Sequence, residues 1–302
     1  MKPLSGLSAF FLLLSLSATA AAIPQPDVAI QPSGTHVVIN LPQTRLFLFQ
    51  DGELKDSFPV AVGKMLTRTP VGEYAVTGIY RNPSWHVPRS IQEEMRKKGK
   101  PVETVVPPGP DNPLGPVFIR FGEAKLGLGI HGTNAPSSVP GFRSHGCVRM
   151  KSEQALQLSN IVPKGAAVSV TYQTVLLSQD QAGELWLTAF RDRYQNKNVA
   201  MPQLADALLR WQDENQVPVF GQRVNQALNE RKGKPLCLTC KKPAEARISG
   251  TLSAIPWLSN QEPAQIQPEP AAEPVMEPAP EDASGAWPAA KRKAVQPATQ
   301  PG

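Results

Sequence analysis

The sequence predicts a mainly β protein: an antiparallel, sandwich-like domain with one short helix, then a small helical appendage and a disordered tail. Three observations carry this. Between residues 36 and 172, short runs rich in Val, Ile, Leu and Phe are punctuated by turn residues. None of the links between the first four runs is long enough for a crossover helix, so neighbours should be antiparallel. Helical periodicity is confined to short pieces before residue 172 and sets the texture from Val199 onward.

Taken in order, residues 23–35 are a Pro-rich linker expected to be extended. His36–Leu41, Arg45–Gln50 and Leu54–Val62 follow as a three-stranded meander, with Pro42-Gln43 and Asp51-Gly52 as turn signals. Gly72–Ile79, introduced by Thr69-Pro70-Val71, is a fourth run. Residues 80–116 differ. Trp85-His86-Val87-Pro88 leads into a helix-compatible Ser90–Lys98, where Ser90 and Glu93 have capping-box spacing. Pro107–Pro116 then forces an irregular loop, and a long insertion in a compact domain reads as a binding lid. Val117–Phe121 and Leu126–Ile130 are strand-like. Ser152–Ile161 reads as a helix capped by Ser152, and Ala167–Leu177 as one further strand. The unit 173–250 continues with Glu184–Phe190, a helix with Pro202 in its first turn and Leu204, Leu208 and Trp211 on one face, and a shorter helix over Val219–Arg231. Residues 251–302 are rich in Pro, Ala and Glu, too poor in apolar surface to offset ordering entropy.

The chain opens with a secretory-type signal over residues 1–22. Lys2 is the charged start, Leu7–Leu16 the apolar run and Ala18–Ala22 the small-residue cleavage region, with an A-x-A site ending at Ala20 as the near alternative. Its apolar run is short for a membrane span. Export of the domain is therefore expected. The net charge of +6 fits an anionic partner such as a wall polymer or membrane surface. No basic stripe interleaved with aromatics appears, which argues against nucleic acid.

Chemistry concentrates in His131–Met150, HGTNAPSSVPGFRSHGCVRM, which holds two of four histidines and one of three cysteines. A cysteine nucleophile needs a base to take its proton and donors to hold an oxyanion. Cys147 has two candidate bases, His145 two residues away and His131 at the end of the preceding strand, and spacing alone does not choose between them. Gly146 and Cys147 can offer backbone N–H groups to a carbonyl, and Arg149 can take a carboxylate bidentately. A metal reading has only His131, His145 and Cys147, without an HxH or carboxylate pair, so no metal and no other cofactor is expected. A buried, inert thiol is the plain alternative, disfavoured by the polar, Gly-containing turn. Cys237 and Cys240, in Cys-Leu-Thr-Cys, are candidates for a local disulfide, with a redox pair or half a zinc site as alternatives.

HGT followed by SHGCxR resembles the signature of the L,D-transpeptidase (YkuD) family. The opening VVINLPQTRLFLF, Thr69–Tyr74, Asn82–His86 and Asn112–Pro116 are similar as well, over roughly residues 36–172. Arg149 stands where the family often has Asn, as in its ErfK/YbiS-type periplasmic branch. That branch often carries a LysM module, for which about a dozen residues before the first strand leave no room. The resemblance implies that Cys147 is the nucleophile and that His131 is the base, oriented by the Gly132 carbonyl. It implies that His145, Gly146 and Cys147 supply oxyanion donors. Arg149 would hold the thiol loop or a substrate carboxylate, with Ser144, Trp85 and His86 as further substrate-binding candidates. The implied donor is a peptidoglycan tetrapeptide stem. The acceptor is an amine of another stem or a lysine of an outer-membrane lipoprotein, and a periplasmic thiol reductant would keep Cys147 reduced. A hydrolase of the same fold cutting the wall–lipoprotein link, and a non-catalytic wall-binding module, are the rival readings.

Overall fold

A computed structural model describes residues 22–258. The apolar N-terminal run and the tail beyond residue 258, with Lys291-Arg292-Lys293, lie outside the described residues. The chain is mainly β. The strands are β1 (Thr35–Asn40), β2 (Arg45–Gln50), β3 (Glu53–Pro59), β4 (Ala61–Gly63) and β5 (Gly72–Arg81). The insertion then contributes β6 (Trp85–His86), helix α1 (Arg89–Lys97) and β7 (Val105–Val106). After it come β8 (Val117–Phe121), β9 (Gly129–His131), β10 (Gly141–Ser144), β11 (Val148–Arg149), α2 (Ser152–Ile161) and β12 (Ala167–Thr171).

The ten large-sheet strands run in the order β10-β4-β11-β9-β8-β5-β12-β1-β2-β3. Only Val60 separates β3 from β4, yet the two stand near opposite ends of that order. The sheet must therefore fold round on itself, which makes it sandwich-like. Its interior is apolar, with Ile39, Leu46, Phe121, Ile130, Val148, Met150 and Leu158 fully buried. The β1–β2 and β2–β3 pairs are antiparallel as expected. Three pairs are parallel instead: β1–β12, β4–β10 and β9–β11. They arise where the chain returns through the loop after His131 or through α2 rather than by a hairpin. The fourth run, β5, pairs with β8 and β12, not with the meander.

Both expected N-caps are corrected. Pro88 precedes α1 and Lys151 precedes α2, and neither helix has a side-chain cap bond. Ser152 Oγ instead accepts from Thr133 N–H and donates to Thr133 O, both at 3.0 Å. The expected strand Ala167–Leu177 is two strands in two sheets. It breaks at residues 172–174, where Asn40 and Gln173 exchange side-chain and backbone hydrogen bonds.

The second unit is a four-stranded sheet of β13 (Val175–Gln179), β14 (Leu185–Ala189), β15 (Leu236–Cys237) and β16 (Ser253–Ala254), covered by α3 (Met201–Asn215) and α4 (Gly221–Glu230). Leu204, Leu208 and Trp211 recur at helical spacing and bury one face of α3 against Leu177, Leu185 and Leu187. Among the described residues no helix is long and apolar enough to cross a membrane.

Two expected loose segments are bound. In the linker, Ile23, Val28 and Ile30 pack on Val38, Phe47 and Phe49. At the start of the presumed tail, β16 pairs with β13 and Trp257 is buried. Asp27 Oδ2 accepts from the N–H groups of Trp257 and Leu258, so the linker and residues 251–258 are tied together. Truncating a buried Trp leaves a cavity as well as lost transfer energy, so Trp257→Ala is expected to destabilise the protein by about 3–5 kcal/mol. Urea unfolding followed by far-UV circular dichroism measures it, and an unchanged midpoint would mean that Trp257 contributes nothing to the fold.

Candidate active site

The site is built by the parallel pairing of β9 and β11, in which Val148 faces Ile130 and Arg149 faces His131. Cys147 immediately precedes β11. Its thiol meets the Gly127 carbonyl and the Gly129 N–H at the start of β9, and the Arg149 charge acts on both Cys147 and His131. The pairing thereby sets residue 147 one step before the Val148–Ile130 pair, beside the strand that ends in His131.

His131 is buried. Its Nδ1 lies 2.6 Å from the Gly132 carbonyl oxygen. A carbonyl can only accept, so Nδ1 carries the proton and Nε2 keeps its lone pair. The ring stacks on Phe118 of β8, the cross-strand neighbour in register with it, with centroids 6.1 Å apart. Burial, and then the Arg149 charge, push the imidazole down to about 4, against the Gly132 and Leu114 carbonyls, which favour the cation. The Cys147 thiol donates to the Gly127 carbonyl at 3.2 Å. Burial pushes it up to about 11, opposed by the Gly129 N–H and the Arg149 charge. At rest the thiol and the imidazole are thus both neutral.

The turn that presents the thiol is closed by its own polar groups. Ser144 Oγ donates to Cys147 O and accepts from Gly146 N–H at 3.3 Å. Ser144 was expected to touch substrate, but it is buried and its hydroxyl closes the turn. Gly146 has φ +116°, a backbone that side-chain-bearing residues rarely adopt. Space is not the reason for glycine, because an added Cβ would meet only Arg68 O at 3.7 Å.

His145 does not lie beside the thiol as an extended backbone would have placed it. Its Nε2 is 3.0 Å from Glu94 Oε1 on α1 and 3.3 Å from Lys64 Nζ. The His145 hydrogen bond, followed by that of Lys98, holds the Glu94 carboxyl below its usual range. The insertion therefore reaches the thiol turn through Glu94, while Trp85 and His86 pair with Val106 and Val105 in a two-stranded ribbon. Arg149 Nη1 donates to Ser138 Oγ at 2.9 Å, its Nε is buried without an acceptor, and among the described residues no carboxylate pairs with it. Cys237 and Cys240 are joined as a disulfide in the second unit, and Cys147 is the one free cysteine.

Phe118, the Gly127 carbonyl, the Gly129 N–H and Glu94 escaped sequence reasoning, because each meets the motif through pairing or loop packing rather than through spacing. Phe118 could have been found from strand register once β8 and β9 were aligned.

Residues 34–170 match the YkuD family, the L,D-transpeptidase catalytic domain. YqjB of Bacillus subtilis, described as a putative L,D-transpeptidase, is 34% identical over 143 residues, 46% of this chain and 73% of that protein. The chain belongs to the L,D-transpeptidase family. ErfK/SrfK of Salmonella typhimurium, described as a probable L,D-transpeptidase, is 27% identical over 243 residues, 76% of this chain and 75% of that protein. YbiS of Escherichia coli, described in the same words, is 31% identical over 168 residues, 54% of this chain and 53% of that protein. Membership makes the chain an acyltransferase enzyme of this family.

A thiol pushed up to about 11 is almost wholly protonated at neutral pH, and only thiolate alkylates. Iodoacetamide should therefore label one thiol per unreduced chain, at a rate that climbs through pH 7–10 without levelling. A plateau above pH 8.5 would show an ordinary exposed thiol, and three labelled thiols would show Cys237 and Cys240 reduced.

Proposed function

We propose that the chain is a peptidoglycan L,D-transpeptidase exported to the periplasm, with Cys147 as nucleophile and His131 as base. The observation that supports this reading is the neutral His131, its Nδ1 proton directed at Gly132 O, on the strand paired with the one that Cys147 leads into. Because both groups rest neutral, proton transfer accompanies attack rather than preceding it. As Cys147 Sγ bonds to the carbonyl carbon of meso-diaminopimelate in a tetrapeptide stem, His131 Nε2 takes the thiol proton. The tetrahedral oxyanion is held by backbone N–H donors of the thiol turn, chiefly that of Cys147, since Gly146 N–H is engaged by Ser144. Collapse breaks the bond to the terminal D-alanine, whose amine leaves with the proton from His131. A thioester remains on Cys147. An acceptor amine then attacks it, His131 again shuttling the proton, and the thiol is restored.

Arg149 supports substrate binding. A half-buried guanidinium without a carboxylate of its own is suited to a carboxylate of the stem peptide. The acceptor is a second diaminopimelate or a lipoprotein lysine, and both meet the same requirement for an unprotonated amine. A thiol reductant of the periplasm would keep Cys147 available.

Incubation with a disaccharide-tetrapeptide and an amine acceptor should release D-alanine and form the transferred product, and Cys147→Ser should abolish both. Product from the serine variant would contradict the nucleophile assignment, and D-alanine release without amine transfer would make the protein a hydrolase. His131→Ala should slow burst acylation by a carbapenem, read by intact mass, by about 10²–10⁴-fold, and more than His145→Ala does. Since burial keeps His131 unprotonated down to about 4, the acylation rate should have no acidic limb near pH 6.5 and should fall only towards pH 4. A limb at 6–7 would mean that the base is a solvated imidazole.

A further inference from the structure

Thr69 and Tyr194 lie outside the thiol motif, yet a closed relay of hydrogen bonds joins them to it. Tyr194 O–H donates to Gly63 O at 2.8 Å and accepts from Thr69 N–H at 3.2 Å. Gly63 N–H donates to Thr69 Oγ1 at 2.9 Å, and Thr69 O–H donates to Gly146 O at 2.7 Å. Each hydroxyl has a single proton. The acceptor side of Thr69 Oγ1 is taken by Gly63 N–H, so its proton goes to Gly146 O, and the direction of every bond is fixed. Thr69 and Tyr194 are both buried, at 1% and 3% exposure, so water does not compete for these groups.

The consequence lies in the peptide between Gly146 and Cys147. A trans peptide is planar, with C=O and N–H on opposite edges. The only cis bond among the described residues is Val139-Pro140. Fixing Gly146 O on Thr69 therefore aims the Cys147 N–H to the other side, and no acceptor among the described residues takes that N–H. Gly146 has no side chain to hold the plane and sits at φ +116°, so the plane needs an external anchor. The Ser144–His145 peptide, two along the chain, is held from the same loop, since Thr67 O–H and Lys64 N–H both donate to Ser144 O at 3.1 Å.

Tyr194 belongs to the segment between β14 and α3, not to the sheet that carries the thiol. Its ring stacks on Tyr172 with centroids 5.0 Å apart, meets Phe142 edge-on at 5.4 Å, and lies under the Arg68 guanidinium. Arg68 also donates to Tyr194 O at 2.9 Å and to Asn196 Oδ1 at 3.0 Å. Tyr194 N–H donates to Tyr172 O–H, whose proton goes to Asp192. At the other end, Gly63 admits the loop only because it lacks a Cβ, which would lie 2.1 Å from Thr67 O and 2.6 Å from Thr69 N. The phenol is thus fixed from several sides before it touches Thr69.

We propose that Thr69 is a positioning residue for the oxyanion donor of this enzyme, and that Tyr194 makes the second unit part of that device by anchoring Thr69 and Gly63. The proposal rests on the reading of Cys147 as nucleophile. It assigns the appended unit a task in catalysis: it holds the far end of the relay that orients the Cys147 N–H.

The test compares two reactions of one thiol. Acylation by a carbapenem passes through an oxyanion, whereas alkylation by iodoacetamide does not. Thr69→Val removes the hydroxyl at nearly constant volume, Tyr194→Phe keeps the stacked ring, and Thr69→Ser restores a hydroxyl. Thr69→Val should lower the saturating acylation rate by about 10–100-fold, short of the 10²–10³ seen when a donor is lost outright. Tyr194→Phe should lower it by a smaller factor, Thr69→Ser should recover most of it, and the half-saturating concentration should move little. Alkylation should stay within about twofold of the parent in all three. Parent-like acylation in both Thr69→Val and Tyr194→Phe would overturn the proposal. So would an equal fall in both reactions, because the thiol and not the oxyanion donor would then have been displaced. Failure of the underlying reading looks different: the unaltered protein would alkylate but not acylate.

Discussion

The parallel pairing of β9 with β11 is the constraint on which the rest depends. It places Arg149 opposite His131 and leaves Cys147 at the residue just before β11. Neither strand is long, three residues and two. They hold because their flanks are fully buried: Ile130, Val148 and Met150 all lie in the main core, each worth roughly 1.5–3 kcal/mol of burial. Met150 N–H also donates to His131 O at 2.8 Å, so the pairing continues past the end of β11. Helix α2 starts two residues later, and Ser152 grips Thr133 from its first turn. The same short stretch therefore ends a strand, opens a helix and fixes the turn after His131.

Burial does two things at once here. It makes both reactive groups neutral at rest and removes the solvent that would screen their interaction at the moment of attack. The Arg149 charge acts on both groups in opposite senses for a proton transfer: it favours the thiolate of Cys147 and disfavours the imidazolium of His131. A resting ion pair would keep a reactive thiolate open to oxidation between turnovers. On the proposed mechanism, neutral groups confine reactivity to the time when a carbonyl is bound. The arrangement is consistent with one free thiol alongside a Cys237–Cys240 disulfide in the same chain.

Much of this was legible in the sequence, and the reason is locality. The run Val117–Phe121, the helix Ser152–Ile161 and the apolar face of α3 follow from short-range patterning, and the structure has them at those positions. What sequence reading could not supply was register. It left His131 and His145 equivalent as bases until the family resemblance separated them, whereas the structure turns the His145 ring towards Glu94, 51 positions away. It read Ser90 and Ser152 as caps because Ser precedes a helical pattern in each, but Pro88 and Lys151 occupy those positions, and the Ser152 hydroxyl has a stronger partner in Thr133. It ran Ala167–Leu177 into one strand because the apolar pattern does not stop. The break is imposed by Asn40, far away in sequence, and by a tyrosine whose hydroxyl serves Tyr194. Residues 251–258 looked like the start of a solvated tail, yet one carboxylate, Asp27, and one buried indole bind them to the body.

The central claim is that the thiol of Cys147 takes the acyl group of the stem through proton transfer to His131. Its most direct test is to mix the protein with a disaccharide-tetrapeptide without an acceptor amine, quench in acid within the first turnover, and map the peptides by mass. The account predicts an adduct on the peptide bearing Cys147, at the mass of the tripeptide stem without its terminal D-alanine, with its appearance strongly slowed in His131→Ala. An adduct on any other residue, or one that retains the D-alanine, would contradict it.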